Sequence, residues 1–202
     1  RDELDYETYA KGPEHKSVDQ PLINLFSRNA SEPLQEYEHR AQAYELFIQS
    51  LRLEDSGDVV RAIDLLSRAV ELDPNAAAIP AAQASLYAQV GQTADAIRVA
   101  ERALTLDADY GEAHRVLGLI FATLSEQALE QRDGRGSSDA EMYRERALTH
   151  LEQSVVAGEP DGRITFILAR LYGEPGAVDK AVVTLEPFVR DRPGFVDGLL
   201  LL

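Results

Sequence analysis

The sequence predicts an all-α fold, a solenoid of stacked helix-turn-helix hairpins. Three observations carry that prediction. The stretch "RAIDLLSRAVELDPNA" (61–76) returns thirty-four residues later as "DAIRVAERALTLDADY" (95–110), with six of sixteen positions identical and most others alike in polarity. A glycine, Gly57 and then Gly91, stands at the same place ahead of each copy. Apolar residues on both sides of these glycines recur at helical spacing.

Residues 1–32 lie outside the repeat and show no sustained period. They mix Tyr6, Tyr9, Leu22, Ile23, Leu25 and Phe26 with polar residues, Pro13 and Pro21. This segment is too irregular for another hairpin and rich in large apolar side chains. Two readings stay open: a disordered leader, or an extended arm that docks on a groove of its own chain or of a neighbour. "NAS" at 29–31 fits a glycosylation acceptor, but Ser31 reads more simply as the cap of a long helix, "EPLQEYEHRAQAYELFIQSLRLED".

The solenoid is expected over 33–202. Its first hairpin spans about 43–76. Leu46, Phe47, Leu51 and Leu53 recur along the first helix with small Ser50 between them, and Gly57 supplies the left-handed backbone that ends it. Asp58 caps the second helix, which is apolar at Val59, Ile63, Leu66 and Val70. Ala62 and Ala69 share one face and let two helices approach closely, and Pro74 stops the helix because the residue before a proline avoids the helical region.

The second hairpin, 77–110, repeats the scheme with Ala84, Tyr87, Gly91, Ala96 and Ala103. Pro80 departs from it and fits only within the first turn of a helix. The third, 111–161, opens with Leu117, Gly118 and Phe121, but its second helix arrives seventeen residues late, with Ala147, Leu151 and Ser154 in the anchor places. The insertion, 125–146, reads as helix up to Arg132, loop through "DGRGSSD", and helix again from a capping box of Ser138 and Glu141. Both helices of this hairpin are therefore expected to be about two turns longer than their counterparts. The added length is either a tolerated surface insertion or a projecting contact for a partner. The fourth hairpin, 162–195, restores the register at Leu168, Ala169, Tyr172, Gly176, Ala181, Leu185, Phe188 and Pro193, and 196–202 opens a further one.

This order of small residue, glycine, alanine, large apolar residue, alanine and proline, read as Ser50, Gly57, Ala62, Leu66, Ala69 and Pro74, resembles the tetratricopeptide repeat. The resemblance covers about residues 40–202. It implies a right-handed superhelix whose neighbours bury a continuous core, because one hairpin cannot bury its own apolar face. It also implies a groove that binds proteins or peptides, lined by the first helix of each hairpin. Here that lining is Tyr44, Phe47, Leu51 and Glu54, then Ala81, Ser85 and Ala88, then Arg115, Leu119 and Ala122, then Phe166 and Arg170. Chaperone-binding members use Lys, Asn and Arg there to clamp a C-terminal carboxylate; this chain has Phe47, Leu51, Ala81 and Ser85 in those places, so the clamp is missing. An apolar groove with small residues at its middle suits a helix or an extended apolar segment. Tyr44, Phe47 and Leu51 could equally pack against the N-terminal arm.

Composition narrows the function classes. Thirty-five acidic residues against twenty basic ones give a net charge of −15 in 202 residues, which repels phosphate backbones and argues against a nucleic-acid partner. With no cysteine there are no disulfides, thiolate metal sites or Cys nucleophiles. No apolar run reaches the ~18 residues of a membrane span. None of His15, His39, His114 and His150 has partners at a metal-ligand spacing, and His114 and His150 fall inside repeat helices where a structural role is the simpler reading. "DGRG" lacks the Lys-Ser/Thr pair of a phosphate loop. No catalytic site, metal or cofactor is expected. Arginine far outnumbers lysine, which occurs at 11, 16 and 180, and with the many alanines this points to a GC-rich, bacterial genome. The chain begins at Arg1 rather than Met and ends in mid-pattern, so a processed or partial piece of a longer protein is expected, and periplasm, export and cytoplasm all remain open. The reading is a non-catalytic interaction scaffold or adaptor. Its alternative is a structural subunit that self-assembles through the arm and the open solenoid ends.

Overall fold

The computed structural model describes residues 34–130, 136–157, 162–173 and 178–191. Among them are eight α-helices and no strand: α1 Leu34–Asp55, α2 Val59–Leu72, α3 Ala78–Gln89, α4 Thr93–Leu106, α5 Gly111–Glu130, α6 Gly136–Ala157, α7 Gly162–Gly173 and α8 Val178–Asp191. They pair in sequence as four hairpins, and each hairpin packs against the next: α2 against α3, α4 against α5, α6 against α7, with α3, α5 and α7 also meeting one another in turn. The architecture is the expected all-α solenoid. The expected arm contacts Tyr6, Tyr9, Leu22, Ile23, Leu25 and Phe26, the cap Ser31, and the opening of a fifth hairpin lie outside the described residues.

The hairpin turns follow from the glycines. Gly57 and Gly91 take φ of +82° and +77°. The amide after each reaches back across the helix end, Asp58 N–H to Leu53 O at 2.8 Å and Gln92 N–H to Tyr87 O at 2.9 Å, satisfying carbonyls the helix leaves open. Asp58 then caps α2, accepting from the Arg61 amide at 3.4 Å. The exits differ from expectation in one respect. Asp73 and Asp107 both leave the helical region, at φ −132° and −145°, and each accepts from the amide two residues on. A proline follows the first and an alanine the second, so the aspartate turn suffices without proline. Pro80 is the third residue of α3 and is buried, where its missing N–H removes no intrahelical bond.

The repeat anchors make the core. Ala62, Ala69, Ala96, Ala103 and Ala147 are fully enclosed, and Leu66, Leu151 and Leu185 nearly so. Ser50, Ala84, Gly118 and Ala169, which correspond along the repeats, are all buried. Gly118 shows why small side chains stand there: a β-carbon on it would lie 2.5 Å from the Leu151 side chain. Steps of thirty-four, or fifty-one across the insertion, also relate Glu45 and Arg52 of α1 to Ile79 and Leu86, Ala113 and Ile120, and Ile164 and Leu171. The three later pairs are buried against the preceding hairpin. Glu45 and Arg52, with no described hairpin before them, are exposed.

The third hairpin is longer as anticipated: α5 and α6 have 20 and 22 residues, against 12 and 14 in α3 and α4. The added turns are packed together, with Ser125, Ala128 and Ala140 buried and Ser125 Oγ donating to Ala140 O at 2.8 Å. One boundary is corrected. α6 begins at Gly136, so Ser138 lies inside its first turn instead of capping it; α5 and α7 also begin at a glycine, which helix starts accept. No described helix is long and apolar enough to cross a membrane.

Candidate functional site

The face expected to bind a partner is made by the first helix of each hairpin. On α1, Tyr44 and Phe47 are half-buried, three residues apart, with rings near parallel and centroids 6.4 Å apart. Burial pushes the Tyr44 phenol up from its ordinary value, so it stays a neutral donor. Leu51 lies one turn on and is 38% exposed. These three residues are an apolar and aromatic surface.

The middle of the face is polar and bonded across helices. Ser85 of α3 donates to Glu112 Oε1 of α5 at 3.0 Å. Arg115, one turn along α5, holds the same carboxylate with both arms of its fork, Nε to Oε2 at 2.7 Å and Nη2 to Oε1 at 2.5 Å. Such a bidentate pair fixes the guanidinium plane. Beside it the Tyr110 phenol is pushed up by burial first and then by Glu112 and Asp107. Leu119 follows, partly buried against the main core. On α7, Phe166 is half-buried and Arg170 forms an ion pair with Glu126, which the lengthened part of α5 supplies.

Two of the expected lining residues are buried, Ala122 at 4% exposed and Ala81. Ala81 is 0% exposed, closed in by Ala103 and Ala113 where α3, α4 and α5 meet, and it contributes no surface because its methyl sinks into that junction. The two carboxylates that organise the face were not among the expected residues. Glu112 was within reach of the sequence, since it stands three residues before Arg115 on one helix. Glu126 was not, because forty-four residues and an insertion separate it from Arg170.

The structure also joins two histidines that spacing kept apart. His114 of α5 and His150 of α6 face each other with their Nδ1 atoms 2.9 Å apart. Among the described residues no three His, Cys, Asp or Glu groups converge as a metal site would need.

The family model of the tetratricopeptide repeat matches residues 53–120. In structure the chain is similar to TTC0263, a thermophilic tetratricopeptide-repeat protein of Thermus thermophilus, with TM-score 0.60 and 19% identity over 78% of this chain and 79% of that one. It is also similar to YrrB, a protein of the same kind with an unusual peptide-binding site, with TM-score 0.61 and 20% identity over 80% and 74% of the two chains. A third likeness is to the first repeat domain of Spaghetti (RPAP3) bound to the HSP90 peptide SRMEEVD, with TM-score 0.52 and 19% identity over 65% and 90%. At these identities what is shared is the fold. No curated protein sequence matches the chain.

Proposed function

Because the chain is a tetratricopeptide-repeat protein, we propose that it is a non-catalytic scaffold that binds a peptide or helix of a partner protein along the face of α1, α3, α5 and α7. The observation that supports this reading is the composition of that face. An aromatic and apolar surface on α1, at Tyr44, Phe47 and Leu51, continues into the Ser85–Glu112–Arg115 cluster and ends at Phe166 and the Arg170–Glu126 pair. Apolar anchors beside fixed polar groups suit a segment that buries side chains and is oriented by hydrogen bonds. Two of the structurally similar proteins are described with a peptide-binding site or a bound peptide. The peptide of the second is acidic and ends in a carboxylate, and the residues here that correspond to the family's carboxylate clamp, Phe47, Leu51, Ala81 and Ser85, supply no cation for it.

A peptide array probed with the intact chain tests the proposal. Binding to peptides that combine apolar and polar residues is expected, with SRMEEVD among the non-binders. Leu51→Glu and Arg115→Ala should each weaken the selected peptides about tenfold or more, while Glu71→Ala, on the exposed side of α2, leaves them unchanged. An array on which nothing binds, or on which all three variants bind like the parent, would overturn it.

A further inference from the structure

The third hairpin carries a polar pair at two places where the first two hairpins carry apolar residues. Counting along the repeats, His114 stands where α1 has Leu46 and α3 has Pro80, and His150 stands where α2 has Leu65 and α4 has Val99. His114 is 8% exposed and His150 is half-buried. His114 Nε2 lies 2.9 Å from the carbonyl of Ala108 and its Nδ1 2.9 Å from His150 Nδ1. These partners fix the tautomers. A carbonyl only accepts, so His114 Nε2 carries the proton and its Nδ1 is bare; His150 Nδ1–H donates to it. Both rings are then neutral, and the bond between them requires one bare ring nitrogen.

We propose that this His114–His150 pair is a pH-sensitive latch that holds α5 against α6 until both imidazoles are charged. One added proton still leaves a bare nitrogen on one ring facing an N–H on the other, but when both rings are charged two N–H donors are set against each other across 2.9 Å. A proton on His150 also places a cation near the Arg146 guanidinium. The His150 ring stacks on Phe121 at 5.8 Å, and the Arg146 guanidinium lies over the same Phe121 ring at 3.9 Å. The charged and titratable groups around the pair are Arg146 on α6 itself, Glu101 from α4, which meets Arg146 at 3.5 Å, and Asp107 and Tyr110 in the turn that holds Ala108. From α7 comes Tyr172, whose hydroxyl is taken by Glu152, two residues along α6. Burial first, then His114 and Arg146, depress the His150 ring from 6.5 to about 4.

The sign follows from that depression. The unfolded chain takes up the proton near pH 6.5 and the folded chain near 4. The pair's contribution is therefore complete above about pH 6.5 and is lost progressively as the pH falls to about 4. Since α5 also carries Glu112 and Arg115, acid that loosens this hairpin disturbs the polar middle of the face with it, whatever that face binds.

Thermal melts of the intact chain between about pH 7.5 and 4.5 test the latch against two variants. His150→Gln keeps a neutral donor for His114 Nδ1 and cannot charge. The double variant H114L/H150L puts at both positions the leucine that the first hairpin has there, Leu46 and Leu65. The parent midpoint should fall over this range by about 5 °C more than that of either variant. Ring proton shifts of His150 should still be those of a neutral imidazole at about pH 5.5. Equal acid sensitivity in parent and variants overturns the proposal. So does a His150 ring that charges near its ordinary value with the fold intact, and so does stabilisation of the parent by added zinc at neutral pH, which would make the pair a metal ligand set.

Discussion

At the scale of single residues, the small anchors set how closely helices approach. Ala62 and Ala96 are each fully enclosed between the helices of a hairpin. Replacing either by leucine adds three carbons where there is no room and should cost about 1–3 kcal/mol. Gly118→Ala should act in the same direction, because its new methyl meets Leu151 at its branch point and 3.1 Å from its backbone nitrogen. Glu71→Leu, on an exposed position of α2, should change the melting temperature little. Melting curves that rank these variants in another order would place the helices in another register. The anchors were legible because each is written several times at one spacing, and recurrence separates a packing requirement from chance. His114 and His150 were not, because each occurs once and the insertion breaks the count between them. Whether the single methyl of Ala81 stands on the surface or beneath it depends on how near Ala103 and Ala113 come, and a sequence does not contain that distance.

At the scale of elements, the third hairpin differs from its neighbours in length rather than in plan. Eight added residues in each helix, about two turns, keep the seam closed through Ser125, Ala128 and Ala140. Ser125 Oγ reaches a carbonyl of the opposite helix at 2.8 Å from a fully buried position. Ser125→Ala should therefore cost about 1 kcal/mol, or about 2–4 °C in the melting temperature, while Thr123→Ala, an exposed neighbour bonded within its own helix, should cost less. Equal losses would mean that the added turns are not held by this seam. The sequence announced the extra turns through a late but intact set of anchors. It misplaced the start of α6 by two residues because a serine with a glutamate three places on is a stronger written signal than a glycine, although a glycine begins the helix here, as it does in α5 and α7.

At the scale of the whole molecule, a stack in which each unit touches its neighbours has a stability that sums unit and junction terms. The α5–α6 hairpin has the longest internal seam and neighbours on both sides, through α4 and α7. Amide hydrogens of α5 at neutral pH should therefore exchange more slowly than those of α1 or α8, which have a described neighbour on one side alone; exchange that is slowest in α1 would contradict this order. The two sides of the stack also differ in kind. Every later hairpin presents apolar residues backward at the places where α1 presents Glu45 and Arg52. Anything that docked flat on that side would have to strip water from a carboxylate and a guanidinium set seven residues apart, and an aliphatic end face would offer neither of them a partner. In the language of polymers, the described stack has unlike ends: a copy that laid an aliphatic face on Glu45 and Arg52 would strand both charges, so head-to-tail contact of that kind is disfavoured.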